Sequence, residues 1–560
     1  MSSKNDLQDS LIAEIEDEIS SAVELPSPVA PGSLHGPAEL NPARWLILAG
    51  LITAAILQVL DTTIVNVCLP QMAGNLGATS QEIGWVVTGY ILSNVIFLPM
   101  TAFFTDRFGR KRYLTGSIIV FIVSSFFCGT SHTLPEIVFW RVIQGAGGAA
   151  LLSTAQATLM QVFPPKEQGM VQGIFMMGLT VAPTLGPTLG GWITDNYTWN
   201  WCFLINVPIG LLATILVMMY LHDTEERVSN RPVDWSGIGL LAIGLGGMQY
   251  VLEEGQSNDW FEDPTITALS VISVVALAGL IWWQLSPKNR VPVIDFRVMK
   301  NPTLSACLFL FIALGFGLYG VTYLFPLLAH TILGFTSMQI GLALLPGGMA
   351  TALSIVACGA ILNRSRPLVD IRLVILFGTG MTMIAMYLMG SLSSQSGQED
   401  TTFALLLRGF GAGFLFVPLN QAAFASLKPS ELQQASGLLS LSRQLGGSFG
   451  IAALATYVEH QIQLHRADLL TNYAITNTPF SDRLHALTGG FMAHGYSHAA
   501  AQAAGLHVLD GALMRQALSM GYNDAFVMLL VINLITLPAV LLLRKASVVP
   551  ASSGAHAAME

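Results

Sequence analysis

Charge is scarce in this chain. Only 11% of its 560 residues are Asp, Glu, Lys or Arg, whereas about a quarter of the residues in a typical soluble domain are charged. By contrast, 52% of the residues are hydrophobic and the mean hydropathy is +0.59. The shortage of charge excludes an ordinary soluble globular protein and indicates a protein that lies within a lipid bilayer.

Motifs for ATP use and for catalysis are also missing. No GxxxxGK[ST] loop, which would cradle nucleotide phosphates, occurs in the sequence. No nucleophile, base and orienting residue form a recognisable catalytic set. His494 and His498 have helical spacing but lack a third metal ligand. We therefore expect no enzyme, no metal site and no cofactor.

Cysteine is rare, and its placement is uninformative. All five cysteines lie in or at the ends of apolar runs, and none lies in the polar segment after residue 457: Cys68, Cys128, Cys202, Cys307 and Cys358. A disulfide framework is typical of short secreted chains with dense, regularly spaced cysteines. We therefore expect no disulfide framework here.

What the chain does contain is long apolar runs. A helix needs about 20 mainly apolar residues to span a bilayer. Fourteen runs are long enough, at residues 44–69, 81–104, 113–131, 136–161, 170–193, 200–221, 236–253, 264–285, 303–330, 338–362, 371–391, 402–427, 435–457 and 521–543. Backbone groups in lipid must be paired within the segment, which leaves helices for such runs. The sequence predicts an all-α membrane protein with fourteen transmembrane helices.

The basic residues lie on one side of these spans. With both termini in the cytoplasm, the inner loops contain the Lys and Arg residues, as in "DRFGRKR" at 106–112, whereas the six short outer loops contain none. Cytoplasmic loops of membrane proteins are enriched in Lys and Arg. We therefore predict a multi-pass protein with both termini cytoplasmic. Its acidic N-terminal tail, at 1–43, is predicted to be disordered.

Two stretches of the chain resemble one another. "RVIQGAGGAALLSTAQATLMQVFPPKEQ" from Arg141 and "RGFGAGFLFVPLNQAAFASLKPSELQQ" from Arg408 share an intramembrane Arg, small residues, a Gln, and Pro and Glu in an inner loop. Two repeated halves around a central site are a standard plan of secondary transporters. We divide the chain into a tail (1–43), a first six-helix half (44–221), a linker with two inserted helices (222–302), a second half (303–545) with a long outer loop (458–520), and a second tail (546–560).

Asp61 stands inside an apolar run, "LQVLDTTIVNVCLP". A carboxylate deep in the membrane costs about 2.5–3.5 kcal/mol on insertion scales, so it marks a functional site by default. Such a group can load and release a proton, which a coupling site requires. The alternative is a structural Asp capped by Thr62, Thr63 or Asn66. Arg141 has similar alternatives: it could hold a substrate, tune the carboxylate, or tie helices together.

The fifth span is rich in Pro and Gly, in "GLTVAPTLGPTLGG". Pro removes helix hydrogen-bond donors and Gly lets a neighbouring helix approach closely. This density predicts a gating hinge, and a plain helix interface is the alternative. The hinge candidates are Pro183, Gly186, Pro187, Gly190 and Gly191. In the loop after the second span, Asp106 could form pairs that break when the halves rock; simple positive-inside anchoring is the alternative.

Five runs together resemble the fourteen-span drug:proton antiporters of the major facilitator superfamily, most closely the EmrB type. They are "LDTTIVNVCLP", "AFFTDRFGRKRYL", "RVIQGAGGAA", "GLTVAPTLGPTLGG" and "WNWCFLINVPIG", and they occur in the family's order. The resemblance covers about residues 44–545. It implies the export of hydrophobic or amphiphilic compounds in exchange for protons, with the proton gradient as energy source.

The resemblance also implies roles by motif position. Proton coupling falls to Asp61 and Arg141; gating to Asp106, Arg107, Gly109 and Arg110; and the antiport hinge to Gly186, Pro187, Gly190 and Gly191. It places the protein in a bacterial inner membrane. With the long outer loop, it implies a periplasmic adaptor protein and an outer-membrane channel as partners, and no nucleic acid.

Further candidates come from polar and aromatic positions on the repeat-matched spans. These are Gln156, Phe416, Asn420 and Gln421, which we predict to line the substrate cavity. The leading hypothesis is a proton-coupled exporter of drug-like compounds with a largely apolar cavity. A narrow exporter of one metabolite, lipid or siderophore is an alternative, and a non-transporting membrane sensor is another.

Overall fold

The computed structural model describes residues 43–221, 233–289, 292–362, 369–393, 395–425, 427, 431–471 and 478–543. Throughout these ranges the regular secondary structure is helical, which confirms the all-α prediction. The two predicted tails lie outside these residues, apart from residue 43. So do several basic residues of the predicted inner loops, including Arg227, Arg231, Arg364 and Arg366.

The predicted first half consists of long helices with two internal breaks. Its helices are α1 (Arg44–Leu76), α2 (Ser80–Phe97), α3 (Thr101–Phe108), α4 (Arg110–Thr130), α5 (Leu134–Val162), α6 (Pro165–Asn196), α7 (Asn200–Leu204) and α8 (Asn206–Tyr220). A 3-10 turn at Leu98–Met100 joins α2 to α3. The pairs α2–α3 and α7–α8 each correspond to one predicted span.

The remaining helices follow in the order expected from the apolar runs. They are α9 (Trp235–Glu254), α10 (Pro264–Leu285), α11 (Pro302–Thr331), α12 (Ser337–Leu362), α13 (Ile371–Met389), α14 (Gln398–Ala425), α15 (Leu432–Thr471), α16 (Thr478–Ala493) and α17 (His498–Leu541). Short 3-10 turns lie at Gln256–Asn258, Trp260–Glu262 and Phe296–Lys300.

Twelve helical segments of the described chain are long and apolar enough to cross a membrane. The helices at the two remaining predicted spans are α6 and α15. In α15 the polar side chains of Gln433, Ser436 and Ser440 are buried. These polar side chains lower the hydropathy of α15, and the helix tolerates them because they are buried against other helices, away from lipid.

Close helix contacts at glycine hold each half together. In the first half α5 packs on α2 and α4, and a Cβ on Gly145 would overlap the backbone carbonyl of Tyr90. In the second half a Cβ on Gly446 of α15 would overlap the carbonyl of Ile312 in α11. Small residues allow backbones in membranes to approach this closely, and dispersion contacts then stabilise the pair.

The two predicted halves contact one another along α6 and α12 and between α5 and α15; the division of the chain into these halves stays a prediction. Gly173 of α6 packs against Ile355 of α12, and Gly341 of α12 packs against Thr188 of α6. Below, "the basic end" is the end of the bundle that carries Arg107, Arg110 and Arg112. Because Arg110 donates a hydrogen bond to Gln161, the C-terminal end of α5 lies at the basic end.

The inserted helix α9 bridges the two halves. It packs on α10, on α2 of the first half and on α15 of the second. At its N-terminus, Asp234 caps the helix by accepting a hydrogen bond from the Gly237 N–H at 2.8 Å. The same carboxylate accepts from Trp283 Nε1 at 2.8 Å and Asn289 Nδ2 at 2.7 Å. One carboxylate thus fastens the start of α9 to the end of α10.

The long loop predicted on the outer side is mainly helical. Helices α15 and α17 have 40 and 44 residues, which is about 60 Å or more at 1.5 Å per residue. Since the hydrocarbon core of a bilayer is about 30 Å thick, both helices extend beyond it. The salt bridge between Arg466 and Asp510, at 3.0 Å, joins the extensions, and α16 packs on α17. We call this extension the outer hairpin; it consists of the C-terminal part of α15 around Arg466, helix α16, and the N-terminal part of α17 around Asp510.

Cys68 of α1 and Cys202 of α7 form a disulfide bond. The sequence predicted no disulfide framework, and it gave no sign of this single bond. The two cysteines are 134 residues apart in the chain, and only the packing of the first predicted span against the sixth brings them together. Cys128, Cys307 and Cys358 are free and buried.

Candidate functional site

Asp61 is fully buried and lies near the middle of α1. Its Oδ2 accepts a hydrogen bond from Arg141 Nη1 at 2.5 Å. Its Oδ1 accepts from Gln144 Nε2 at 3.0 Å and from Asn206 Nδ2 at 2.8 Å. Helices α1, α5 and α8 therefore converge on one carboxylate. Three donors, one of them the buried cation Arg141, thus surround the carboxylate.

Arg141 is held on every side. Its Nε donates to the carbonyl of Val86 at 2.8 Å, and its Nη1 also donates to Gln144 Oε1 at 2.8 Å. The guanidinium carbon lies 4.3 Å from the centre of the Tyr90 ring and 5.7 Å from that of Phe203. A planar guanidinium stacks well on aromatic faces, so the cation keeps a fixed position beside the carboxylate.

Each charge of the buried pair of Asp61 and Arg141 is balanced by the other. Removing one member of a buried ion pair costs about 3–5 kcal/mol, because the other charge is left without compensation. Protonation of Asp61 would remove the charge that balances Arg141. A proton on this carboxylate would therefore change the contacts that hold α5, through Arg141, and α8, through Asn206, against Asp61. The role of this pair in proton coupling stays a prediction.

The capping alternative for Asp61 does not describe the structure. Thr62 Oγ1 donates to the carbonyl of Val59 at 2.8 Å, and Thr63 Oγ1 donates to that of Leu60 at 3.0 Å. Asn66 is exposed. The groups that surround Asp61 come from other helices instead.

Sequence reasoning missed most of the neutral partners. Asn206 also donates to Ser125 Oγ at 3.0 Å, and Ser125 donates to the carbonyl of Phe203 at 2.9 Å. Gln144 lies one turn after Arg141, and that spacing is a usable signal. Asn206 lies in the run "WNWCFLINVPIG", which was noted only for its resemblance to the family's motif.

The predicted gating residues lie together at the junction of α3 and α4. Gly109 separates the two helices with φ of +85°, a conformation that residues with a Cβ rarely adopt. Arg110 donates to Gln161 of α5, while Asp106 is exposed and Arg107 is half-buried. The structure therefore places the four residues at one bend; their gating role stays a prediction.

The predicted hinge residues lie on α6, which continues as a helix through all of them. Gly186 packs on Thr63, and a Cβ on Gly190 would lie 3.1 Å from the carbonyl of Ile64. Both contacts fall within three residues of Asp61. Gly191 has nothing within 4 Å of its Cβ position. Pro183 is half-buried, and the side chain of Pro187 is outside the described set.

Two of the predicted cavity residues contact one another across the halves. Gln156 Nε2 of α5 donates to Asn420 Oδ1 of α14 at 2.6 Å, and both side chains are buried. Asn420 also donates to the carbonyl of Phe416 at 2.9 Å, and Gln421 is half-buried. In this conformation Gln156 and Asn420 form a closed interface, and a cavity role for the four residues stays a prediction.

Neighbouring polar groups extend this interface. Gln433 Nε2 donates to Thr154 Oγ1 at 3.1 Å, and Ser436 Oγ donates to the carbonyl of Ser153 at 2.8 Å. We call these contacts the inter-half polar contact; its members are Ser153, Thr154, Gln156, Asn420, Gln433 and Ser436. All six are buried. The contact lies toward the basic end and closes that end of the interface.

Comparisons with known proteins agree with this arrangement. The model of the Major Facilitator Superfamily matches residues 51–451. The chain is 34% identical to the multidrug export protein EmrB of Escherichia coli over 435 residues, which are 77% of this chain and 83% of that protein. It is 30% identical to the fatty acid resistance protein FarB of Neisseria gonorrhoeae over 503 residues, which are 89% and 96% of the two chains.

A solved structure is also similar. The human organic anion transporter MFSD10 superposes with a TM-score of 0.56 at 13% identity, and the match covers 88% of this chain and all of that one. At this level of identity the similarity concerns the fold alone.

Proposed function

The chain belongs to the Major Facilitator Superfamily and is an exporter of the EmrB type, and we propose that it is a proton-coupled antiporter for hydrophobic or amphiphilic compounds. Membership confirms the predicted fold class and the prediction of a transporter. The observation that supports the proposal most directly is the buried pair of Asp61 and Arg141. Asp61 is a protonatable carboxylate, and its charge balances that of an arginine on another helix.

In the proposed cycle Asp61 alternates between Arg141 and a proton. When Asp61 is ionised, Arg141, Gln144 and Asn206 bind it and the site is stable without a proton. When a proton arrives, Arg141 loses its counter-charge and the local packing favours another conformation. A ligand shifts a conformational equilibrium only through such a difference in interaction free energy between states. The proton gradient is then the energy source, and no cofactor is needed.

Alternating access assigns a state to this structure. We take the basic end as cytoplasmic, in line with the positive-inside rule, with both termini in the cytoplasm of a bacterial cell and the chain in its inner membrane. The inter-half polar contact then closes the cytoplasmic side. Since Asp61 is paired with Arg141, this is the proposed state in which substrate has left and the next proton has yet to bind.

The relatives support amphiphilic compounds as the substrate class. One is named for multidrug export and another for fatty acid resistance. Neither the single-substrate exporter nor the sensor is favoured by an observation on this chain. We further propose that the outer hairpin binds a periplasmic adaptor protein leading to an outer-membrane channel, because α15 and α17 extend well beyond the hydrocarbon core of the bilayer.

Reconstituted protein tests the antiport mechanism. In proteoliposomes with an imposed pH gradient, we expect uphill movement of a fluorescent amphiphile in one direction and of protons in the other. Collapse of the gradient with an ionophore should stop both fluxes. Substrate movement of the same size without a gradient would contradict coupling, and empty liposomes provide the passive rate.

The inter-half polar contact yields a second prediction. We expect a short bis-methanethiosulfonate reagent, which can bridge the gap left by the shorter Cys side chains, to cross-link the double variant Gln156→Cys, Asn420→Cys and to abolish its export, and reduction of the cross-link should restore export. The physical reason is that opening of the cytoplasmic side must separate these side chains, which lie 2.6 Å apart between donor and acceptor. Each single variant is the control for the native cysteines. Full export by the cross-linked protein would exclude opening at this contact.

A further inference from the structure

A cavity of about 120 Å³ lies where the inserted helix α9 meets both halves. Its walls come from four helices: α2, α9, α11 and α15. The residues that matter below are Ile91, Glu253, Tyr319, Gln444, Ser448 and Ile451. Ile91 directly follows Tyr90, whose ring stacks on Arg141, so the cavity adjoins the helix segment that holds the buried ion pair.

Glu253 is the acidic group of this cavity. Its Oε2 accepts a hydrogen bond from Gln249 Nε2 at 3.1 Å. Gln249 is only 1% exposed and also donates to Ser448 Oγ at 2.8 Å. The amide of Gln249 thus ties the carboxylate to α15. Within the described part of the chain, no salt bridge to Glu253 is present.

The surroundings of Glu253 are acidic. Residues 235–285, which form the inserted pair and its connection, contain five Asp or Glu and no Lys or Arg. Of the described residues that line the cavity, Glu253 is the charged one, and a charged group in a cleft concentrates ligands of the opposite sign.

We propose that this cavity binds the ammonium head group of cationic amphiphiles, with Glu253 as the counter-ion and the Tyr319 ring as one wall. A carboxylate beside an aromatic face is a chemical environment suited to an organic cation. A volume of about 120 Å³ holds a trimethylammonium group but not a whole drug molecule. The apolar side chains of Ile91 and Ile451 suit the methyl groups of such a head.

This inference rests on the proposed function, since it assigns a substrate class to that exporter. It also gives the inserted pair a direct part in recognition. The ligand chemistry follows from the cavity itself: one carboxylate without a cationic partner, an aromatic ring, and uncharged polar groups from Gln444 and Ser448.

Binding to the full-length protein in nanodiscs tests the assignment. The probes are octyltrimethylammonium and octyldimethylamine N-oxide, which has a similar shape but no net charge at pH 8. We expect Glu253→Gln to weaken binding of the cation about tenfold or more, which corresponds to about 1.4 kcal/mol, and to leave binding of the N-oxide unchanged. Glu253→Asp should retain part of the preference for the cation.

Glu254→Gln is the matched control, because it removes the same charge from the adjacent residue, which does not line the cavity. Equal weakening by the two Gln variants would overturn the proposal in favour of a general electrostatic attraction. Unchanged cation binding in Glu253→Gln would overturn it, and so would equal loss of both probes. Because binding needs no gradient, failure of proton coupling in proteoliposomes would leave this result intact.

Discussion

Export driven by a pH gradient is expected to fall at least about 100-fold when Asp61 is replaced by Asn. The variant keeps the shape of the side chain but cannot hold a negative charge, so Arg141 stays buried without its counter-ion at every stage. Loss of one member of a buried pair costs about 3–5 kcal/mol, and each 1.4 kcal/mol is a factor of ten. The measurement is the initial rate of uphill export in proteoliposomes.

Two controls separate coupling from folding in this experiment. Asp195→Asn removes the same charge at an exposed position near the end of α6, and it should export normally. The double variant Asp61→Asn, Arg141→Gln removes both charges, so its thermal stability should recover relative to Asp61→Asn while export stays lost. Gradient-dependent export by Asp61→Asn at the native rate would refute the coupling role.

The exchange Gly186→Ala is expected to lower export at least tenfold and to lower the unfolding temperature. A Cβ at Gly186 would lie 2.6 Å from Thr63 Cβ, so α6 would be pushed away from α1 two residues after Asp61. Alanine is otherwise the better helix former by about 1 kcal/mol. Without the clash, the substitution would therefore raise the unfolding temperature. The sign of the measured change in unfolding temperature thus shows whether the clash occurs.

Gly191→Ala is the matched control on the same helix. Its Cβ position has nothing within 4 Å, so this variant should be as stable as the native protein or more so, and normal export would show that the predicted hinge does not need a glycine at 191. If Gly186→Ala and Gly191→Ala behaved alike, this result would contradict the role of Gly186 in the close packing of α6 on α1.

The features of this protein that the sequence alone reveals are those that depend on the lipid environment and not on tertiary contacts. Asp61 and Arg141 were identified as a candidate pair because charge inside an apolar run is costly, whatever the fold. The helices were predicted because runs of apolar residues are long and uniform. The positions of these helices in the chain follow from the need to match the lipid bilayer, so they can be inferred without any tertiary contact.

What sequence could not reveal depends on tertiary proximity or on state. Asn206 is an uncharged amide in an apolar span, and only packing of α8 on α1 brings it to Asp61. The disulfide between Cys68 and Cys202 requires the same information. Gln156 and Asn420 were chosen as polar positions for a cavity, yet they contact one another here because their side of the interface is closed. The position of α9 between the halves also had no signal in its composition.

The unbroken length of α15 has a mechanical consequence. One end of this helix carries Gln433 and Ser436 of the inter-half polar contact, and the other end carries Arg466 of the outer hairpin. Such a helix acts as a lever about 60 Å long, and a rotation of about 10° around its midpoint moves each end by about 5 Å. A tilt of α15 that separates the inter-half polar contact would therefore also displace the outer hairpin at the other end of the helix. A probe attached to the outer hairpin would report whether the inter-half polar contact is open or closed.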